Sequence, residues 1–143
     1  MLNMNKNLEN NLKRGDVVFM DLPKIGESSV QCGLRPCVIM SNQKAIDNST
    51  IITVVPVTSK QKKCKNLHIS LFKESGLNRE SIALAEQVLT VPKSLITRKV
   101  GTVPDFKMKA INNVVINQMQ LAWKKRSNYQ KLFKGSCFYL YSI

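Results

Sequence analysis

Histidine occurs once in this chain, as His68. A two-histidine acid–base mechanism is therefore excluded, and a Ser-His-Asp arrangement has to use that one residue. His68 lies in the apolar stretch LHISL, where a strand position beside the core is its expected role. The four cysteines, Cys32, Cys37, Cys64 and Cys137, contain no Cys-x-x-Cys pair. Structural zinc sites draw on such pairs, so the thiols read as reduced and structural. Asp and Glu total nine and are scattered, with no Asp-x-Asp or paired-Glu cluster. A two-metal phosphoryl-transfer site needs converging carboxylates, so no metal is expected. Neither a Gly-x-x-x-x-Gly-Lys loop nor a Gly-x-Gly-x-x-Gly stretch is present, and no cofactor is expected. No window approaches the roughly 18 uninterrupted apolar residues of a membrane span. The N-terminal MLNMNKNLENNLKRGD lacks the apolar stretch of a secretory signal. The expectation is a soluble, cytoplasmic protein with no membrane partner.

Positive charge is what the chain has in excess. Lys and Arg total 22, for a formal net charge of +13 over 143 residues. Such a charge favours acidic partners such as nucleic acid, an anionic surface or an acidic protein, without choosing among them. The length suits one domain with one modest core. Residues 13–122 are expected to form that domain, between an N-terminal extension at 1–12 and a basic, aromatic tail at 123–143.

The chain reads as short strands followed by one helix. GDVVFMDLP carries apolar residues on both faces, Val17 and Phe19 on one and Val18, Met20 and Leu22 on the other, as in a buried strand. The Arg-Gly-Asp at 14–16 reads as the turn that starts it. Residues 23–34 have loop chemistry, RPCVIMSN makes a second strand, and QKAIDNS turns the chain. TIITVVPVTS is a β-branched third strand. KQKKCKN is a basic loop and LHISL a fourth strand. SIALAEQVLTV suits a helix by its alanines and leucines and a strand by Ile82, Val88 and Val91. LITRKVGTV reads as a strand. PDFKMKAINNVVINQMQLAW is the strong helix signal: Pro104 and Asp105 suit its start, and Phe106, Ala110, Ile111, Val114, Met119 and Leu121 fall roughly on one stripe. The order predicts a mainly β fold, a small barrel or curled antiparallel sheet with a C-terminal α-helix at its end.

With these exclusions, arginine, lysine, hydroxyls and amides remain, a set that can still act on a phosphodiester, with proton transfer as its weak link because arginine is a poor general base. The RNA 2′-hydroxyl is an internal nucleophile already close to phosphorus. Arg35, between a glycine turn and a proline, can fork two phosphate oxygens. Thr58 or Ser59 can donate to a third. The competing reading of Arg35 is a surface ion pair.

Four segments in order resemble the MazF/PemK toxins, sequence-specific endoribonucleases of toxin–antitoxin modules. KRGDVVFMDL is similar to the family's opening strand. QCGLRPCVIMSN resembles its Gln-x-Gly-x-Arg-Pro-hydrophobic segment. VVPVTSK resembles the strand that ends in a Thr-Ser or Thr-Thr pair, and SIALAEQVLTVPKSLITRKVGTV the stretch with a Glu/Asp-Gln pair. The resemblance implies an SH3-like barrel of antiparallel strands with a C-terminal helix, working as a homodimer and silenced by an acidic cognate antitoxin. It implies metal-independent cleavage of single-stranded RNA by 2′-hydroxyl attack, with Arg35 and Thr58 catalytic and Ser59 beside them. Gln31 and Gln87 match positions that present amides to base edges. Lys24, Lys60, Lys62 and Lys63, in the loops that flank the RNA, are placed to contact phosphates.

The first loop departs from the family pattern. It reads GESSVQ, with Val30 where a glutamate often stands and one extra residue, so the recognised RNA sequence does not carry over. Two other classes remain open at this point: a non-catalytic, CcdB-like toxin that binds gyrase, and an SH3-like RNA-binding module without catalysis. The CcdB-like toxin would not need the Arg35 and Thr58 pair, and the RNA-binding module would leave RNA uncut.

Overall fold

A computed structural model describes residues 11–60 and 66–121. Seven strands appear in chain order with two helices: β1 (Asp16–Leu22), β2 (Gly33–Ile39), α1 (Gln43–Asn48), β3 (Ile51–Thr58), β4 (His68–Leu71), β5 (Ser81–Leu84), β6 (Leu89–Pro92), β7 (Ile96–Thr102) and α2 (Asp105–Gln118). Every ladder is antiparallel, in the order β4-β5-β3-β2-β1-β7, with β6 also paired to β3. Among the described residues no ladder joins β7 back to β4, so the sheet is not closed by hydrogen bonds. The fold is the expected one, antiparallel β with a C-terminal helix. Among the described residues no helix is long and apolar enough to cross a membrane.

Apolar residues fill both faces of the sheet, which is why β1 reads as apolar on both sides. Val18, Met20 and Leu22 join Cys37, Ile39, Ile52 and Val54 in one core. Val17 joins Val38, Val55, Val57, Ala83 and Met108 in the other. Leu12, assigned by sequence to the N-terminal extension, packs into the first core at 2% exposure. β3 is the hub: Ile51–Val54 pair with β6, and Val57–Thr58 pair with β5. Pro56, which lacks a ladder donor, lies where β3 changes neighbours.

The Arg-Gly-Asp turn is structural, as expected. Gly15 takes a left-handed φ of +87°, and β1 starts at the next residue. Asp16 is fully buried, and its carboxylate accepts from Lys13 N at 2.8 Å and Thr102 Oγ1 at 2.9 Å and pairs with Lys99 Nζ at 2.9 Å. A buried carboxylate is tolerable when its oxygens are satisfied in this way.

Two elements differ from the sequence expectation. QKAIDN is a short helix rather than a turn, started by Asn42 Oδ1 accepting from Ala45 N at 2.9 Å and anchored by buried Ile46. In α2 the buried residues are Met108 and Ile111, with Val114 and Val115 partly covered. Phe106 is 65% exposed, and Met119 and Leu121, both 57% exposed, lie beyond the helix end at Gln118. The ambiguous SIALAEQVLTV resolves into strands, β5 and β6, around a turn.

Candidate active site

Two strand ends and one loop build the site. Gly33 turns into β2 with φ +74°, and Arg35 then pairs with Met20 on β1. Behind it Cys37, Val38 and Ile39 are fully buried, so the arginine's backbone is fixed at the rim of a rigid strand. β3 ends at Thr58, buried at 7% exposure, and the exposed Ser59 and Lys60 follow. Gln31, Cys32, Arg35, Thr58, Ser59 and Lys60, with the loop residues Ser28 to Val30, line a cleft of about 560 Å³. No lining residue carries a carboxylate.

The guanidinium is held from the loop side. Arg35 Nε donates to the Cys32 carbonyl at 2.8 Å, and Nη1 donates to Gln31 Oε1. The Gln31 backbone N–H donates to Gln87 Oε1 at 2.9 Å, and Gln87 Nε2 donates to the Ser29 carbonyl at 3.3 Å. Arg35 Nη2 makes no hydrogen bond among the described residues. Thr58 Oγ1 accepts from Lys60 N at 3.2 Å, which leaves its own proton free to be donated. Beneath the site, burial pushes the Cys37 thiol up to about 12, against an opposing pull from the Arg35 charge. Cys37 is thus a neutral thiol at ordinary pH and no nucleophile.

The sequence-selected residues divide clearly. Arg35, Thr58, Ser59, Lys60 and Gln31 meet in one cleft, and Gln87 joins them through Gln31. Lys24 is exposed in the same loop but does not line the cleft. Lys62 and Lys63 lie outside the described residues. The Gln31 and Gln87 side chains, expected to face bases, here tie the loop to Arg35 and to the segment after β5. Sequence reasoning missed the Cys32 carbonyl, since a main-chain acceptor leaves no mark in residue type. His68 is beside the core as expected, its side chain 6% exposed and its Nε2 3.3 Å from Glu86 Oε1. Among the described residues no group of three or more His, Cys, Asp or Glu side chains could hold a metal ion.

Comparison with known proteins bears on most of the chain. The family described as PemK-like, MazF-like toxin of type II toxin–antitoxin system matches residues 13–119. Endoribonuclease MazF of Staphylococcus saprophyticus is 33% identical over 106 residues, covering 73% of this chain and 88% of the relative. Endoribonuclease EndoA of Bacillus subtilis is 33% identical over 114 residues, covering 78% of this chain and 95% of the relative. Among solved structures, MazF from Deinococcus radiodurans superposes with a TM-score of 0.67 at 18% identity, covering 76% of this chain and 96% of that one. A mycobacterial endoribonuclease in complex with its cognate antitoxin gives a TM-score of 0.65 at 19% identity, over 79% of this chain and 99% of that one. These two structural likenesses concern the fold.

Proposed function

Because this chain belongs to the PemK-like, MazF-like toxins of type II toxin–antitoxin systems, we propose that it is a sequence-specific endoribonuclease that cleaves single-stranded RNA without a metal ion. The single observation that carries the reading is the convergence of Arg35 and Thr58, from the start of β2 and the end of β3, on one carboxylate-free cleft.

The chemistry follows from the donors. The substrate's 2′-hydroxyl gives its proton to solvent water as its oxygen attacks the adjacent phosphorus; the 2′-O–P bond forms, the bond from phosphorus to the 5′-oxygen breaks, and that oxygen takes a proton back from water. Negative charge accumulates on the equatorial oxygens in between. Arg35 offsets it with Nη2 and the second Nη1 proton, while its Nε and Nη1 bonds fix the plane of the fork. The Thr58 hydroxyl, already accepting from Lys60 N, donates its proton to a phosphate oxygen. Arginine's pKa, about 12 or higher, makes it a donor here rather than a base. Ser59 and Lys60 extend the positive, hydroxyl-bearing rim, and Lys24, Lys62 and Lys63 add phosphate contacts from the flanking loops. Gln31 and Gln87 read bases with the amide groups that their tie to Arg35 leaves free, so the guanidinium stays held while RNA is bound.

The working protein is a cytoplasmic homodimer of one toxin domain, residues 13–122, and its inhibitor is an acidic cognate antitoxin. The net charge of +13 supports an acidic partner. The test is incubation with a long single-stranded RNA in excess EDTA. Cleavage at a few sites is expected. Intact RNA, or cleavage only after a divalent ion is added, overturns the proposal.

A further inference from the structure

A second cleft, of about 480 Å³, adjoins the first. The two share Pro36 and Ser59 as walls. The strand register explains the adjacency: Pro36 on β2 pairs with Phe19 on β1, and Phe19 pairs with Arg98 on β7. The three form a row across the sheet that leads away from Arg35 over two inter-strand spacings, roughly 10 Å. Arg98 lies over the Phe19 ring with its guanidinium carbon 4.4 Å from the centroid. Arg79, from the turn before β5, lines the same cleft and is exposed.

The charges in this cleft are unequal. Lys99 also lines it, but its ammonium is 2.9 Å from the buried Asp16 carboxylate and is already offset. The side chains of Arg79 and Arg98 have no hydrogen bond or ion pair among the described residues, and Arg98 rests on the Phe19 ring. No lining residue carries a carboxylate. Two uncompensated guanidinium groups and an aromatic platform are the elements that bind a single strand, by forking phosphates and by stacking on a base. Nothing in the catalytic step proposed above uses them.

We propose that the cleft framed by Phe19, Arg79 and Arg98 is a second RNA subsite, which holds the strand flanking the scissile phosphate. This rests on the endoribonuclease reading of the neighbouring cleft. The RNA passes over Pro36 and Ser59, with its backbone on Arg79 and Arg98. Binding there is insensitive to sequence and lengthens the footprint on one side of the cut.

The experiment uses the full chain and a cut site mapped on a long single-stranded RNA. A short oligonucleotide spanning that site carries a 2′-deoxy sugar at the scissile position, and longer versions extend it on the 5′ or the 3′ side. Extension on one side is expected to tighten binding to the unaltered protein about tenfold, and the Arg79→Ala/Arg98→Ala variant is expected to lose that gain. The log–log salt slope for the extended RNA should fall by about 1.4, two contacts at 0.7 each for a single strand. Arg79→Gln, which breaks no contact among the described residues, should lose about half of the gain and keeps the test valid if the double variant folds poorly. The subsite is wrong if neither extension tightens binding, if short and extended RNA weaken in equal proportion, or if the variants keep the full gain. Failure to cut the parent RNA at all would instead strike the endoribonuclease reading.

Discussion

Gln87 Oε1 accepts a hydrogen bond from the backbone N–H of Gln31, 56 residues earlier, at 2.9 Å. Gln31 in turn accepts from Arg35 Nη1, so a residue after β5 sets the position of a guanidinium on β2. Apart from a second Gln87 bond, Nε2 to the Ser29 carbonyl at 3.3 Å, the other hydrogen bonds of loop 23–32 among the described residues are local, such as Ser28 Oγ donating to the Ile25 carbonyl at 2.7 Å. Gln87 therefore acts as a positioning residue for Arg35.

Gln87→Leu removes the acceptor for Gln31 N and the donor to Ser29. At about 1 kcal/mol per hydrogen bond, kcat/KM should fall roughly tenfold with the unfolding midpoint little changed. Gln87→Glu keeps an acceptor for Gln31 N and should recover part of the loss. Full activity in Gln87→Leu would show that the loop holds Arg35 without this tie.

Arg35→Lys tests the fork. Lysine keeps the charge but cannot donate to the Cys32 carbonyl and to Gln31 and still address the phosphate as a plane. Activity on the mapped RNA should drop by about a hundredfold or more, as for the loss of an oxyanion donor. Thr58→Ala should fall similarly, and Thr58→Ser should retain most activity. Wild-type rates in Arg35→Lys would discard the forked-phosphate role.

Parts of this arrangement were legible in the sequence. Ile51–Thr58 is β-branched enough to announce a strand, and the Arg-Pro and Thr-Ser pairs mark the two strand ends that meet in the cleft. α1 was hidden because six residues are too few for a helical period, and the cap at Asn42 and the burial of Ile46 decide it. The α2 stripe was misplaced because Phe106 is apolar but lies off the face of Met108 and Ile111. The Gln31–Gln87 tie and the Pro36–Phe19–Arg98 row depend on tertiary register, including bulges between β1 and β7, and no local pattern encodes register.

Gly76 and Gly101 place two backbones in direct contact. A Cβ at Gly101 would sit 2.4 Å from the Ser75 carbonyl oxygen, and one at Gly76 would sit 2.3 Å from that of Val100. Neither neighbour is a flexible side chain. Gly101→Ala should destabilise by about 1–3 kcal/mol. Gly76→Ala should do more, since its φ is also +79°. Urea unfolding measures both, and unchanged midpoints would mean that this turn and β7 separate without penalty.

Cys37 should resist alkylation. Its thiol is pushed up to about 12 by burial, so it stays protonated and shielded near neutral pH. Cys32, partly exposed at the cleft, should react with iodoacetamide before Cys37 does. The unfolded thiol ionises near 9.0, so the folded form's preference for the neutral thiol makes Cys37 lower stability as pH rises from 9 towards 12. Cys37→Val should lose less stability over that window. Modification of native Cys37 as fast as Cys32, mapped by mass spectrometry, would contradict the burial argument.

Inhibition by an antitoxin gives the last test. The cleft at Arg35 has no carboxylate among its lining residues, and the chain carries +13 overall. A surface suited to phosphates also suits an acidic, disordered segment that folds as it binds. Such a segment should cover loop 23–34 and Arg35, taking over the guanidinium that Gln31 and the Cys32 carbonyl now hold from one side. Its association should slow as salt rises, because steering between opposite charges is screened beyond roughly 8 Å at physiological ionic strength. RNA and antitoxin should exclude each other. The measurement is a titration of an acidic antitoxin peptide against protein preloaded with RNA carrying a 2′-deoxy sugar at the scissile position. The peptide's apparent Kd should rise in proportion to RNA occupancy, and Arg35→Ala should weaken both ligands. If saturating RNA leaves the peptide's affinity unchanged, the two surfaces are separate and inhibition acts from elsewhere on the fold.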